Sequence, residues 1–107
     1  MEANPRTVES YIAPNGAAPF DDWMAGLKDY RGKAQIESRI SRVRRGLVGL
    51  CRDVGDGITE LKIDFGPGYR VYCVDNGVTV LLLCGGTKRT QDADIARAKQ
   101  HWREYRS

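Results

Sequence analysis

Two periodicities divide the chain. From residue 19 to 50 apolar positions recur every three or four residues, the repeat of one helix face, and from 58 to 83 they recur every second residue, the repeat of one strand face. Ahead of both, Arg6-Thr7-Val8-Glu9-Ser10-Tyr11-Ile12-Ala13 alternates as a first strand with Val8 and either Tyr11 or Ile12 inward, ended by Pro14-Asn15-Gly16. Pro19 then opens a helix, with Asp21 and Asp22 in its first turn at the positive end of the helix dipole. Phe20, Trp23, Met24, Leu27 and Tyr30 form its stripe. After a break at Arg31-Gly32, Ile36, Ile40, Val43, Leu47 and Leu50 line one face of a second helix, and so short a link predicts a helical hairpin.

Gly49 to Gly57 reads as turns. Strands follow over 58–63, 69–74 and 78–83, the last two joined by Asp75-Asn76-Gly77, a strong hairpin signal that sets Asp75 opposite Val78. The final strand is almost wholly apolar and so belongs in the middle of the sheet. Residues 91–106 form a closing helix with Ile95, Ala98, Trp102 and Tyr105 inward. The predicted class is α+β: a two-helix hairpin packed on a small four-stranded, mostly antiparallel twisted sheet, plus a C-terminal helix. It is one domain over 1–107, with 1–5 as a flexible tail.

Counting by twos assigns the faces. Tyr69, Val71, Cys73, Val80, Leu82 and Cys84 make the better core, which sends Arg70, Tyr72, Val74 and Leu81 to a face the helices leave partly open. If Leu61 and Ile63 point inward across Gly66-Pro67-Gly68, Lys62 shares that open face with Arg70, and Lys88 emerges at its rim after Gly85-Gly86. Three cations on one patch suit a phosphodiester, since guanidinium grips phosphate as a fork and ammonium as a point charge. The plainer alternative is solvated charge on an exposed sheet, with Lys62 paired to Glu60.

Composition adjusts this picture only locally. Of 107 residues 41% are hydrophobic and 29% charged, enough for one core, and a net charge of +3 does not by itself indicate a nucleic-acid binder. Lys28 to Arg52, however, holds eight Lys or Arg against Asp29 and Glu37. Arg39, Arg42, Arg44 and Arg45 are therefore either an ordinary solvated helix face or a patch for RNA phosphates. The N-terminal residues carry no apolar run and no segment is long and apolar enough to span a bilayer, so a cytoplasmic protein is expected. Three cysteines fit no disulfide framework, and the hairpin register puts Cys73 and Cys84 roughly 13 Å apart along the strands, too far for a bond. No zinc spacing, phosphate loop or serine-hydrolase motif occurs, and His101 is the only histidine. Any reaction would fall to lysine, arginine and tyrosine.

ELKIDFGPGYRVY, the hairpin into LLLCGG and then TKRTQDADIARAKQHW resemble the RelE/ParE superfamily of bacterial type II toxins, nearest its HigB-like addiction-module killer branch. The similarity covers Pro19 to Tyr105, with Gly-Pro-Gly-Tyr-Arg-Val-Tyr and Gly-Gly-x-Lys-x-x-Gln in the family's order. It implies a toxin that cleaves messenger RNA, often on the ribosome, without a metal or other cofactor. Its partners would be mRNA, the ribosome and a cognate antitoxin with a helix-turn-helix domain, through which alone it would meet operator DNA. Residue by residue it implies Lys62, Arg70 and Lys88 as catalytic, with His101 or Tyr105 standing where the family has a late aromatic or histidine. Arg39, Arg42, Arg44, Arg45, Tyr72 and Arg89 would then bind RNA. The same resemblance admits a ParE-like gyrase inhibitor, for which Lys62 and Arg70 would be dispensable, and a degenerate toxin retained as an antitoxin-binding subunit.

Overall fold

The computed structural model describes residues 4–107. In chain order it contains β1 (Thr7–Ser10), α1 (Pro19–Gly26), α2 (Tyr30–Arg44), β2 (Cys51–Asp53), β3 (Thr59–Ile63), β4 (Tyr69–Asp75), β5 (Thr79–Thr87), one 3-10 turn (Lys88–Thr90) and α3 (Gln91–Arg106). The strands make one sheet in the order β1-β5-β4-β3-β2, antiparallel throughout except that β1 runs parallel to β5. The α+β class stands, but the four-stranded sheet under a helical hairpin does not.

The fifth strand is β2, which lies in the stretch read as turns. Its three residues pair Cys51 with Leu61, Arg52 with Glu60 and Asp53 with Thr59. The glycines around it mask so short a strand, because alternation needs more positions than three to be visible. The hairpin fails for a different reason. Leu27 and Asp29 take extended backbone angles between α1 and α2, so α1 lies over β5 and α2 over β3 rather than against each other. The helix break also falls earlier than Arg31-Gly32: Asp29 caps α2, its Oδ1 accepting from Gly32 N–H at 3.0 Å. Gly32 sits inside α2, where a Cβ would run into Tyr69 and Asp29.

Both faces of the sheet are covered. Under α1 and α2 lies a core of Phe20, Ile36, Ile40, Val43, Leu61, Val71 and their neighbours. On the other face α3 closes a second core of Tyr11, Ile58, Tyr72, Leu81, Leu83, Cys84 and Ala98. The face expected to be partly open is thus largely occupied. The apolar stripe of α3 had to be buried somewhere, and with α1 and α2 on one face only the other remained.

The hairpin register is shifted by two, with Asp75 opposite Val80 rather than Val78. Because two is the strand period, faces assigned by parity survive the shift as far as Leu82. Beyond it they do not. Tyr72 faces Cys84 while Cys73 faces Leu82, so Leu83 is an extra residue, a bulge that turns Cys84 into the second core. Cys73 and Cys84 therefore lie in different cores, their thiols pushed by burial up to about 12, and Cys51 is exposed. Among the described residues no helix is long and apolar enough to cross a membrane.

Gly85 and Gly86 are not a loop that approaches a ligand. They are the end of β5, gripped from both sides: a Cβ on Gly85 would enter the Trp23 ring of α1, and one on Gly86 would strike the Asp94 carboxylate of α3. Past Arg44 the chain leaves the helix, so Leu47 and Leu50 are exposed instead of continuing the stripe. That segment is held by Arg39. Arg39 is 4% exposed, and its guanidinium donates to the carbonyls of Val48, Leu50 (2.5 Å) and Lys62 (3.3 Å). Arg39→Met keeps the apolar stem and strands three carbonyls, and should cost about 3 kcal/mol in urea denaturation with the fold retained.

Candidate functional site

Strand pairing brings the cations together. Lys62 on β3 is the direct partner of Arg70 on β4, so their side chains leave the sheet on the same face. Arg70 turns toward Gly68, whose carbonyl accepts from Arg70 Nη1 at 2.7 Å and from the Lys88 backbone N–H at 2.8 Å. A Cβ built on Gly68 would be 3.5 Å from Lys88 Cβ, and Gly68 itself has φ +77°, a left-handed conformation that glycine adopts without strain. Lys62 is thus beside Arg70 in the sheet, and the backbone of Lys88 meets the Gly66-Pro67-Gly68 turn on which Arg70 is anchored, at the corner where that turn meets the start of the 3-10 turn.

The corner is electrically open. Among the described residues the ion pairs between fixed charges are Arg6–Asp75, Arg52–Glu60 and Arg97–Asp94, and none involves Lys62, Arg70 or Lys88. Arg70 is only 8% exposed, and its Nε is buried without a hydrogen-bond partner. Uncompensated guanidinium nitrogen is costly in a folded chain. Lys88 is exposed and Lys62 half-buried, so solvent reaches both lysines.

The floor of the corner is a buried carboxylate. Glu60 has no exposed surface; its Oε1 accepts from Arg52 Nε at 2.8 Å, and its Oε2 from Tyr72 Oη at 3.0 Å and Gln91 Nε2 at 2.8 Å. Burial alone would raise its pKa, but the three hydrogen bonds and the charge of Arg52 outweigh it and hold the carboxyl below its ordinary value. Tyr72 is pushed the other way, by burial first and then by Glu60. Glu60 therefore pairs with Arg52 rather than with Lys62. Neither Arg52 nor Gln91 stands out as a site residue from the sequence pattern of charge and spacing. Gln91 is visible there only as the last residue of Gly-Gly-x-Lys-x-x-Gln, whereas Arg52 depends on strand β2, which periodicity does not reveal.

The other expected site residues are dispersed. Arg39 is buried with its donors committed to backbone, and Tyr72 has its ring inside the second core, so neither can grip or stack on RNA in this conformation. Arg42, Arg44 and Arg45 are exposed, but on the α2 side of the sheet, the face opposite the corner. Arg42 does share with Lys62 a cleft of about 700 Å³ that runs beside the 46–50 segment. Arg89 is exposed next to Lys88. His101 lies on α3 ten residues beyond Gln91, roughly 15 Å along the helix, with Nδ1 3.3 Å from Glu104 Oε1 and its ring 5.2 Å from that of Tyr11. Tyr105 is further still and stacks on Trp102. Neither residue reaches the corner. No group of three or more His, Cys, Asp or Glu among the described residues is placed to hold a metal ion.

The chain is 56% identical over 81 residues to an uncharacterized protein of Haemophilus influenzae (strain Rd), a match covering 75% of this chain and 82% of that one. No family model and no solved structure matches the chain.

Since the folded carboxyl of Glu60 lies below its ordinary value of 4.5, the stability it contributes is complete above that pH and is lost as pH falls through the folded value. Urea denaturation between pH 6 and 3 should therefore show a steep acid limb, and Glu60→Gln should flatten it while lowering the plateau.

Proposed function

We propose, for a chain that belongs to the same family as the Haemophilus influenzae protein, that it is the toxin of a type II toxin-antitoxin pair, a RelE/ParE-type endoribonuclease that cuts messenger RNA in the cytoplasm and is silenced by a cognate antitoxin. The observation that carries the reading is the corner itself. Lys62 lies opposite Arg70 in the sheet, Arg70 and the Lys88 backbone share the Gly68 carbonyl, none of the three is in an ion pair among the described residues, and one guanidinium nitrogen of Arg70 is buried without a partner. The resemblance in the ELKIDFGPGYRVY and GGTKRTQ segments points to the same three residues.

The chemistry follows from their types. In transesterification the ribose 2′-oxygen attacks phosphorus and loses its proton, charge builds on the non-bridging oxygens, and the bond to the 5′-oxygen breaks as that oxygen gains a proton. The products are a 2′,3′-cyclic phosphate and a 5′-hydroxyl. Arg70 is suited to the developing charge because it stays protonated and its position is fixed by Gly68 and by burial. In this reading Lys62 acts at the 2′-hydroxyl and Lys88 at the departing 5′-oxygen. His101 is too far along α3 to serve as acid or base, so the lysines carry both roles. The exposed arginines of α2 supply sequence-independent attraction for RNA and the ribosome from a second surface.

Induced expression of the wild-type chain should arrest growth, with primer extension showing transcripts cut at defined sites. Arg70→Ala should lower cleavage on the order of 10²–10³-fold, the loss expected when one preorganised transition-state donor is removed. Arrest without cut transcripts, accompanied by loss of DNA supercoiling and undiminished by Arg70→Ala, would instead identify a gyrase inhibitor.

A further inference from the structure

Glu60 is the group best placed to spoil the cationic corner. It lies two residues from Lys62 on the same face of β3 and diagonally across from Arg70, a backbone separation of roughly 7 Å that long side chains bridge. A carboxylate free to swing there would form charge-assisted hydrogen bonds with Arg70 or Lys62 and compete with any phosphate. It does not swing. Arg52 takes one oxygen, Tyr72 and Gln91 share the other, and Arg70 is turned the opposite way to Gly68.

The three donors come from three elements: Arg52 from β2, Tyr72 from β4 and Gln91 from the first position of α3. Among the described residues Arg52 and Gln91 make no other side-chain hydrogen bond. The amide of Gln91 holds an oxygen without adding a charge that would itself draw phosphate away from Arg70. Tyr72, buried beneath, keeps its proton because burial and the neighbouring carboxylate both oppose ionisation.

We infer that Gln91 and Tyr72, together with Arg52, are positioning residues that hold Glu60 away from Arg70 and Lys62 and so keep the corner open to an anionic ligand. The inference rests on reading the corner as an RNA-phosphate site. It also explains the glutamine of Gly-Gly-x-Lys-x-x-Gln, because the loop that delivers Lys88 then delivers the residue that restrains the competing carboxylate. Disabling a donor should therefore be repaired by removing the carboxylate's charge.

Calorimetric titration with inorganic tripolyphosphate tests this directly on the full chain. Gln91→Leu and Tyr72→Phe should each weaken binding about tenfold, the scale expected when Glu60 displaces the ligand from one charge-assisted hydrogen bond. Adding Glu60→Gln to either should return affinity to within about twofold of wild type. Tyr72→Phe removes a single oxygen and keeps the test decisive if Gln91→Leu folds poorly. Wild-type affinity in the single variants, or double variants as weak as the singles, would overturn the inference, because Glu60→Gln restores no packing or hydrogen bond that a purely structural role would have removed. The same proteins assayed on RNA separate the two readings. Rescue of tripolyphosphate binding in a chain that never cuts RNA supports the positioning role and rejects the nuclease, while cleavage without rescue does the reverse.

Discussion

Helices approach the end of β5 from both sides, and the whole site depends on how closely they do so. Gly85 and Gly86 lack the side chains that would keep them away, so Trp23 of α1 lies against one face and Asp94 of α3 against the other. Interior packing tolerates no void of that size and no overlap either. The consequence reaches beyond stability. With α3 seated on Gly86, the 3-10 turn before it is drawn to Gly68, where the Lys88 N–H and the Arg70 guanidinium share one carbonyl. A looser junction would leave Lys88 on a free loop and Arg70 without its anchor.

The second constraint is electrostatic. Between β2 and β4 this protein buries a glutamate completely and a few residues away buries most of an arginine, yet does not pair them. A buried carboxylate is tolerable only when its lone pairs are occupied, and here three donors occupy them. The arginine is left with an unsatisfied nitrogen. Direct pairing of the two would satisfy both groups and extinguish the positive corner. The two groups instead keep separate partners, Glu60 with Arg52, Tyr72 and Gln91, and Arg70 with the Gly68 carbonyl.

Arg39 illustrates the opposite use of the same residue type. It stands in the middle of the basic α2 stretch, indistinguishable by composition from Arg42, Arg44 and Arg45, but each of its three guanidinium nitrogens donates to a backbone carbonyl. It ties the 48–50 segment to β3 and thereby sets up β2, whose Arg52 then meets Glu60. The arginine that composition groups with the exposed ones of α2 is the one that builds the sheet edge beneath the site.

Periodicity along the chain by itself determined the α+β class, the helices near Pro19, Ile36 and Ile95, the three strands around the Gly-Pro-Gly and Asn-Gly turns, and the face shared by Lys62 and Arg70. Those properties depend on repeats of 3.6 and 2 that neighbouring residues impose on one another. Tertiary structure alone decided the β2 pairing, the bulge at Leu83, the covering of the second face by α3, and the partners of Glu60 and Arg39. A period reports which side of an element is buried and is silent on what buries it. The partner of a polar side chain is set by register between segments distant in sequence, as with Gln91 and Glu60, and register emerges only when all the layers pack at once.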